Sequence, residues 1–399
     1  MRERSILTLN AGSSSLKFAI FAGSRAPRRL WSGAIDRIGL PGARFHLSDA
    51  RGTRVLDQSG KIGTHVEALE RLLVAIERQV DRPPLGGVGH RVVHGGPECD
   101  CPKRVTSANL DRLKRLTALA PMHLPANIAG IEAVSAARPD LPQVVCFDTS
   151  FHHDLPRIAR LSGLPRALQE TGYRRYGFHG LSYEYILRAL RADGVDVDRE
   201  RIIVAHLGNG ASMCAIRNGR SVETTMGFST IAGLPMGTRS GDVDPGLLLH
   251  LMIEDGMTPQ DVSRILYTES GLLGLSGISR NMQELLASDA AGAAEAVDYF
   301  CHHTRRHLAG LTASLGGLDR LVFTGGIGAN SWQVRSAICE GLEYLGISLD
   351  RGANARGATV ISASGGRVVV EARQTDEEAM IAGHVCAMLS RSRTEKSGV

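Results

Sequence analysis

The sequence predicts an α/β fold that is built from two similar halves, and three observations support this prediction. First, two apolar strands around a turn of small residues occur at 6–20 and again at 202–216, a pattern typical of hairpins. Second, helical and strand patterns alternate along the rest of the chain. Third, glycine-rich turns follow strands, which is where α/β proteins hold their ligands.

The two hairpins predict the duplication. In the first, the apolar strand Ile6–Leu9 leads into the turn Asn10–Ser15 and back along a second strand. In the second, Ile202–Leu207 leads into Gly208–Ser212 in the same way. Two such hairpins predict a duplicated fold whose halves face each other across a cleft.

The remaining elements follow from hydrophobic periodicity and from helix start signals. Thr64 and Glu67 have the spacing of a capping box at the start of a helix. The apolar face of this helix consists of Val66, Leu69, Leu72, Leu73, Ile76 and Val80. The later elements are a strand over 144–147, a helix over about 292–315, a strand over 321–323, a helix after Asn330 and a last helix that starts within 375–378 and ends near Ser390.

Composition and charge exclude several classes of function. The net charge of +5 is mildly basic, and the densest basic run, Arg25, Arg28 and Arg29, has no interleaved aromatic residue, so we expect no nucleic-acid partner. The apolar run before Asn10 is too short for a signal peptide, and no run approaches the ~20 residues of a membrane span. We therefore expect a cytoplasmic protein with no membrane partner. The seven cysteines include one close pair, so we expect reduced thiols and no zinc site.

Three glycine-rich turns are the strongest candidates for phosphate binding. They span 10–15, 208–212 and 325–330, and Lys17 stands just beyond the first. Glycine lets backbone N–H groups approach a phosphate, and serine hydroxyls and a lysine add donors and positive charge. None of the turns has the P-loop or the dinucleotide-binding spacing. One such turn is more often structural, but three in one chain favour a nucleotide site.

Two arginines stand among glycines and apolar residues rather than among polar ones. Arg91 lies within 89–96, and Arg239 lies within 234–242. Their guanidinium groups could hold a carboxylate and a phosphoryl group through paired hydrogen bonds. The alternative is that they form buried ion pairs. His179, which is followed directly by a glycine, is typical of a positioned histidine rather than of a core residue.

Two acidic residues stand at the ends of elements. Asp148 ends an apolar strand, and Glu377 opens the last helix. Thr375 and Glu378 have the spacing of a capping box, and acidic residues favour helix starts in general. The residues alone therefore favour a helix-start role for Glu377.

Several segments taken together resemble the acetate kinases, the acetokinase family. They occur in order along essentially the whole chain and are Leu9–Lys17, Gly89–Gly96, Arg175–Gly180, His206–Gly210, Met236–Gly241 and Phe323–Gly328. The resemblance implies duplicated actin/hexokinase-like (ribonuclease H-like) domains with a central cleft. It implies an N-terminal domain over 1–150, joined by the C-terminal helix at about 385–399, and a nucleotide-binding C-terminal domain over 151–384.

The resemblance also implies an activity, which is the reversible, direct in-line transfer of a phosphoryl group from ATP to acetate, giving acetyl phosphate and ADP. It implies Mg²⁺, or Mn²⁺ in its place, and a homodimer. The implied roles are metal binding for Asn10 and Glu377, binding of the acetate carboxylate for Arg91, stabilisation of the transferring phosphoryl group for His179 and Arg239, and the family's catalytic acid for Asp148. The implied nucleotide and phosphate contacts are Lys17, His206, Leu207, Gly208, Asn209, Gly210, Asn281, Met282, Gln283, Gly326, Ile327, Gly328, Ala329 and Asn330.

The chemistry of acetate sharpens the role of Asp148. Acetate is already ionised at neutral pH, so the nucleophile needs no base, and the main barrier is to bring an anion to an anionic phosphate. We therefore expect Asp148 to organise Arg91, the waters of the metal ion or the acetate, rather than to remove a proton.

The sequence departs from the family on the nucleotide side and at the first turn. Asn281, Met282 and Gln283 replace an Asp–apolar–Arg triplet whose arginine stacks on adenine, and Ala329 replaces a glutamate. A phosphoryl donor other than ATP therefore stays open. Asn10 stands where the superfold of sugar kinases, Hsp70 and actin commonly has aspartate, so a metal ion there would keep more of its charge.

The sequence also departs from the family around the acceptor. The implied pocket for the acetate methyl group is Val93, Met122, Phe178 and Thr230, where the family commonly has Leu for Met122 and Pro for Thr230. One extra methylene is worth only ~1–3 kcal/mol in such a pocket, so propionate or another short-chain acid stays an alternative acceptor. Beside His179, this sequence has Leu181 where the family usually has Thr and Tyr183 where the family usually has His.

Two other classes of function stay open from the residues. A sugar kinase of the same superfold would need an aspartate base for a hydroxyl nucleophile and gives no reason for the paired arginines. A nucleotide-gated hinge protein, like actin or Hsp70, would keep nucleotide binding without Arg91 and Arg239. Replacing either arginine therefore separates the classes: a carboxylate kinase would lose its activity, whereas a hinge protein would keep its nucleotide binding.

Overall fold

The computed structural model describes residues 4–23, 27–79 and 83–394. The strands are β1 (Ser5–Ala11), β2 (Ser15–Ala22), β3 (Arg28–Asp36), β4 (Ala43–Asp49), β5 (Arg54–Gly60), β6 (Leu85–Val92), β7 (Lys103–Arg104), β8 (Gln143–Phe147), β9 (Ile202–Leu207), β10 (Ala211–Arg217), β11 (Arg220–Thr224), β12 (Arg320–Thr324) and β13 (Val369–Ala372). The helices are α1 (His65–Glu77), α2 (Ser107–Arg115), α3 (Leu124–Ala137), α4 (Arg157–Arg160), α5 (Arg166–Glu170), α6 (Gly180–Ala192), α7 (Pro245–Ile253), α8 (Pro259–Arg264), α9 (Gly271–Ser276), α10 (Met282–Leu286), α11 (Ala291–Leu315), α12 (Gly325–Asn330), α13 (Trp332–Cys339), α14 (Arg351–Ala355) and α15 (Glu377–Thr394). Arg25 of the basic run, Val80 of the first predicted helix and residues 395–399 lie outside the described residues.

The chain divides into two compact units, residues 1–153 with 376–399, and residues 154–375. The first unit has an eight-stranded sheet in the order β5-β4-β3-β2-β1-β6-β8-β7, and the second a five-stranded sheet in the order β11-β10-β9-β12-β13.

The strand order β3-β2-β1-β6-β8 of the first unit recurs as β11-β10-β9-β12-β13 in the second. In both, three consecutive strands pair antiparallel, and the last two strands run parallel to the first. This repeated order confirms the predicted α/β fold with two similar halves. The actin-like domain boundaries at 150 and about 385 and the central cleft stay predictions.

The predicted first hairpin is β1–β2, and its inward side chains form the core of the first unit with α1 and α3. The Thr64 hydroxyl caps α1 by accepting from the Glu67 N–H. The Glu67 carboxylate accepts from Gly63 N at 2.7 Å, one residue before the position that a capping box uses. Val66, which was predicted on the apolar face, is 47% exposed, whereas Leu69, Leu72, Leu73 and Ile76 of that face are buried.

Helix α15 lies directly on β6 because Gly89 has no side chain. A Cβ atom at Gly89 would lie 2.3 Å from Ile381 Cγ2 and 2.8 Å from Val385 Cγ2, far inside van der Waals contact. Glycine thus permits the close approach that fixes the first residue of α15, Glu377, beside the end of β6. The predicted last helix is α15, which extends a few residues beyond Ser390.

The second unit is built around the second predicted hairpin, β9–β10. Residues 202–205 of β9 are fully buried, as expected for a central strand flanked on both sides. The predicted helix over 292–315, strand over 321–323 and helix after Asn330 are α11, β12 and α13. Within the described ranges, no helix is long and apolar enough to cross a membrane. All seven cysteines are free thiols in the structure.

Candidate active site

Arg91 and Asp148 meet at the edge of the first sheet where the parallel strands β6 and β8 end. Arg91 Nε donates to Asp148 Oδ1 at 3.0 Å and Nη2 donates to Oδ2 at 2.7 Å, a paired geometry that suits guanidinium and carboxylate. The Asp148 side chain is 3% exposed and that of Arg91 is 18% exposed. Both carboxylate oxygens of Asp148 are therefore engaged in holding Arg91.

Glu377 gives Arg91 a second carboxylate. Arg91 Nη1 lies 3.0 Å from Glu377 Oε2. Burial would lower the pKa of Arg91, but Asp148 and Glu377 outweigh burial and raise it above its ordinary value. Three of the five guanidinium N–H groups serve these carboxylates, so two remain for a ligand.

The first glycine-rich turn lies at the same edge of the sheet. Leu9 pairs with His90 between β1 and β6, so Asn10 and Arg91 follow at neighbouring strand ends. Asn10 pairs with Lys17 across β1 and β2, which places both side chains on one face. Neither the Asn10 amide nor the Lys17 ammonium is hydrogen-bonded or ion-paired with a described residue.

Asn127 of α3 ties the turn to the arginine strand and was missed by the sequence analysis. Its Nδ2 donates to Ala11 O at 2.8 Å, and its Oδ1 accepts from Val93 N at 3.1 Å. The side chain is buried, so these bonds fix the spacing between the turn and the end of β6. A lone asparagine in an apolar helix, Leu-Pro-Ala-Asn-Ile, was the only signal.

The residues predicted around the acetate methyl group divide between the two units. Val93 and Met122 belong to the first unit, and Met122 is 50% exposed. Phe178 and Thr230 belong to the second and are buried. The Thr230 carbonyl accepts from Arg239 Nη1 at 2.9 Å, which keeps this residue next to the second arginine. The pocket itself stays a prediction.

His179 has an unusual backbone and a fixed ring in the second unit. It precedes α6 with φ of 59°, a left-handed conformation that is uncommon outside glycine and often marks functional sites. Its Nδ1 lies 2.8 Å from Ser212 Oγ, and its ring stacks on that of His206 with centroids 4.3 Å apart. His206 Nδ1 in turn lies 2.8 Å from Ser182 Oγ.

His179 and Arg239 meet at Gly210 of the second glycine-rich turn. A Cβ atom at Gly210 would lie 3.3 Å from His179 Nε2 and 3.7 Å from Arg239 Nη2. The missing side chain therefore leaves the space that both groups face. The Arg239 loop is also attached to this turn, since Gly237 N donates to Asn209 O at 3.1 Å. The structure thus brings together the two residues predicted to stabilise a phosphoryl group.

A cavity of about 590 Å³ lies beside these groups in the second unit. The residues predicted for nucleotide binding that line it are Gly208, Asn209, Asn281, Met282, Gln283, Gly326, Ile327 and Asn330. Leu286 and Ala287 add an apolar wall. Of the remaining predicted residues, Leu207 and Gly328 are buried, so they can offer backbone groups only.

The replaced triplet keeps part of its structural role. Asn281 Oδ1 accepts from Gln283 N at 3.0 Å and so caps α10, a position at which asparagine and aspartate serve equally well. The Gln283 side chain is exposed at the cavity and makes no hydrogen bond with a described residue. It is therefore a neutral, flexible group at the position where the family has an arginine.

Arg335 of α13 binds backbone carbonyl groups of the third glycine-rich turn. The sequence analysis also missed this residue. Its Nη1 donates to Gly328 O and to Ala329 O, each at 2.9 Å, and its Nε donates to Asn354 Oδ1 at 2.7 Å. The side chain is 1% exposed, and burial lowers its pKa. This buried cation therefore fixes two carbonyl groups of the turn.

No group of three or more His, Cys, Asp and Glu side chains that could hold a metal ion occurs in the described part of the chain. A magnesium ion that binds with substrate phosphates uses only one or two carboxylates and several waters. Glu377, whose Oε2 contacts Arg91, offers one such carboxylate, and the Asn10 amide offers a neutral oxygen.

The whole chain is similar to known proteins of one family. A sequence model of the Acetokinase family matches residues 5–383. An acetate kinase from Methylocella silvestris is 46% identical over 98% of this chain and 99% of its own length. The crystal structure of Porphyromonas gingivalis acetate kinase matches with a TM-score of 0.87 and 34% identity, over 97% of this chain and 100% of that one. A propionate kinase from Francisella tularensis matches with a TM-score of 0.89 and 32% identity, over 96% and 98%. The resemblance and the fold predicted from the sequence are confirmed.

Proposed function

The chain belongs to the acetokinase family, and we propose that it catalyses the reversible transfer of the γ-phosphoryl group of ATP to acetate. The observation that carries this proposal is the convergence of His179 Nε2 and Arg239 Nη2 on Gly210 of a glycine-rich turn. A histidine nitrogen and a guanidinium N–H group beside a glycine-rich turn suit the charge that spreads over the equatorial oxygens of a transferring phosphoryl group.

In the proposed reaction, an acetate oxygen attacks the γ-phosphorus in line with the bridging oxygen of ADP. The O–P bond to acetate forms as the bond to ADP breaks, and no proton moves because acetate is already an anion. Arg91 orients the acetate carboxylate through the N–H groups that Asp148 and Glu377 leave available. Asp148 therefore positions Arg91 and does not act as an acid or a base. Of the roles expected from the sequence, which were to organise Arg91, the waters of the metal ion or the acetate, this is the first.

The proposal includes a divalent metal ion, Mg²⁺ or Mn²⁺. When bound, it neutralises phosphate charge and holds the phosphates in place. Asn10 and Glu377 would hold it, since one offers an amide oxygen free of other partners and the other a carboxylate at the same sheet edge. Lys17, opposite Asn10, adds a positive charge for the phosphates.

The cavity supports ATP as the donor, with adenine near Gln283 and Leu286 and phosphates toward Gly208 and Gly326. Its apolar wall favours a base-containing donor over pyrophosphate. Propionate is the second acceptor to test, because one of the matching structures is a propionate kinase and Met122 is an adaptable, half-exposed side chain.

The test is to trap acyl phosphate with hydroxylamine, using ATP, GTP and pyrophosphate against acetate, propionate and butyrate. We expect the fastest hydroxamate formation with ATP and acetate. Formation with propionate at an equal or higher kcat/KM would reassign the acceptor. No hydroxamate in any combination would refute the kinase and favour a hinge protein, and phosphorylation of sugars alone would favour a sugar kinase.

The proposal also covers assembly and location. As the family resemblance implies, we propose a cytoplasmic homodimer that has no membrane or nucleic-acid partner. Light scattering coupled to gel filtration measures the dimer, and a monomer at micromolar concentration would contradict it.

A further inference from the structure

A hydrogen-bonded chain of three side chains lies behind His179 in the second unit. Tyr183 Oη is hydrogen-bonded to Ser212 Oγ, which also lies 2.8 Å from His179 Nδ1. Tyr183 and Ser212 are fully buried. Tyr183 is on α6, one turn after His179, and Ser212 is on β10, so the chain joins α6 to the strand that follows the second glycine-rich turn.

The number of hydrogens allows two directions for this chain. If the Tyr183 phenol donates to Ser212, the single hydrogen of Ser212 is free to donate to His179 Nδ1, and neutral His179 carries its proton on Nε2. If His179 Nδ1 donates instead, Ser212 accepts and a bare Nε2 lone pair faces Gly210. A lone pair would repel phosphoryl oxygens, whereas an N–H would bind them.

We propose that Tyr183, through Ser212, holds His179 as the neutral tautomer that donates from Nε2. Tyr183 is thus a positioning residue for the phosphoryl transfer, and this inference rests on the proposed function. It gives a reason for a tyrosine at a position where the resemblance leads one to expect histidine. A phenol stays a donor across the neutral pH range, so the direction of the chain does not change with pH there.

The stacking of His206 on His179 supports the same arrangement. The ring planes are 22° apart with centroids at 4.3 Å, which leaves His179 little freedom to turn. His206 is itself held by Ser182 at Nδ1. With ring orientation fixed by packing, what remains to be decided at His179 is the site of the proton, and Ser212 is the group in contact with Nδ1.

The direct test is the tautomer of His179 in the wild-type protein. Long-range ¹⁵N–¹H spectra of protein with ¹⁵N-labelled histidine, in the presence of ADP and MgCl₂ at pH 8, distinguish Nδ1–H from Nε2–H. The His179 signals are assigned by their loss in His179→Asn. We expect the proton on Nε2. A proton on Nδ1, or on both nitrogens, would overturn the proposal, and this measurement needs no other variant to fold.

Tyr183→Phe removes the phenol O–H and little else. The Nδ1–H population of His179 should rise, and kcat should fall about tenfold, the effect of one hydrogen bond, while KM for acetate and ATP changes less than about twofold. Tyr185→Phe is the matched control, because Tyr185 is on the same helix and its hydroxyl bonds to no described residue. It should match the wild type.

Ser212→Ala separates a relay from a packing effect. It should lower kcat at least as much as Tyr183→Phe, and the double variant should be no slower than Ser212→Ala alone, since both act through one chain. Additive losses, or a slower Tyr183→Phe with an unchanged tautomer, would contradict the relay. In either case hydroxamate formation by the wild type would leave the proposed kinase intact, whereas its absence would refute the kinase itself.

Discussion

Asp148→Asn tests whether Asp148 acts by holding Arg91. Asparagine has the same shape, but it offers one acceptor where the carboxylate offers two. In the wild type, Asp148 accepts from Arg91 Nε at 3.0 Å and from Nη2 at 2.7 Å. In the variant, one of these two N–H donors of Arg91 faces the amide N–H₂ of asparagine. One charge-assisted hydrogen bond is therefore lost, and two donors face each other.

The size of the effect lies between two limits. Loss of one hydrogen bond to a charged group costs about 1.5–3 kcal/mol. Leaving a buried charge without any partner costs about 3–5 kcal/mol, but Glu377 still lies 3.0 Å from Arg91 Nη1, so that limit is not reached. A loss of about 3 kcal/mol corresponds to a decrease of roughly 10²-fold in kcat/KM for acetate.

The assay is hydroxamate formation with acetate and ATP varied separately. The decrease should occur in kcat/KM for acetate, while KM for ATP should change less than about threefold, because the cavity proposed for the nucleotide is lined by residues of the other unit. Asp140→Asn, the same change in an exposed loop of the same unit, is the control and should be neutral.

Two results would refute this reasoning. A wild-type kcat/KM for acetate would mean that Arg91 needs only Glu377. A large loss that is restored by raising Mg²⁺ would mean that Asp148 organises the waters of the metal ion, which is the alternative expected from the sequence.

Four further predictions follow from the same contacts. Gly210→Ala should lower kcat by about 10²-fold or more with an unchanged melting temperature, because its Cβ would lie 3.3 Å from His179 Nε2; a wild-type rate would contradict this. Arg335→Met removes the donor to one buried and one partly buried turn carbonyl, and the buried one costs about 1–3 kcal/mol when unpaired. Calorimetry should therefore show ADP binding weakened at least tenfold, and an unchanged affinity would contradict the role of Arg335. Burial lowers the pKa of His90 to about 4, so as pH falls from about 6.5 the unfolded chain binds a proton that the folded chain does not. Between pH 7.5 and pH 5, urea unfolding should therefore show a decrease of about 2 kcal/mol in the free energy of unfolding that His90→Gln lacks. Equal decreases in the two proteins would contradict this. Asn10→Asp should lower the maximal rate, because a carboxylate neutralises more of the metal charge; an undiminished rate at low Mg²⁺ would make the amide incidental.

The fold was predictable because its signals are local. A strand, a small-residue turn and a strand are adjacent in sequence, so both hairpins could be identified directly, and their recurrence gave the duplication. Asp148 was linked to Arg91 only through the family resemblance and the chemistry of acetate, because the glycine-rich segment before Arg91 has no clear strand pattern. The parallel strands β6 and β8 bring the two side chains together.

The supports of the site could not be predicted, because each depends on contacts between distant parts of the chain. Asn127 binds Ala11, 116 residues away, and nothing in an apolar helix shows which residue its asparagine will face. Arg335, Ser212 and Tyr183 are likewise single polar residues in buried elements, and periodicity assigns them only to an interior face. Val66 shows the opposite error, since this apolar residue in the first turn of α1 fits the periodic pattern but is 47% exposed.

The charges around Arg91 show why an ion pair and a binding role are compatible there. Arg91 contributes one positive charge, and Asp148 and Glu377 contribute two negative charges, so the cluster is negative before any substrate arrives. Bringing acetate to a net negative cluster is unfavourable unless further positive charge lies at the same sheet edge. Lys17 and a metal ion at Asn10 and Glu377 are the groups that could supply it. Arg91 therefore gives orientation, and in the proposed reaction the attraction for acetate at this sheet edge comes from Lys17 and the proposed metal ion.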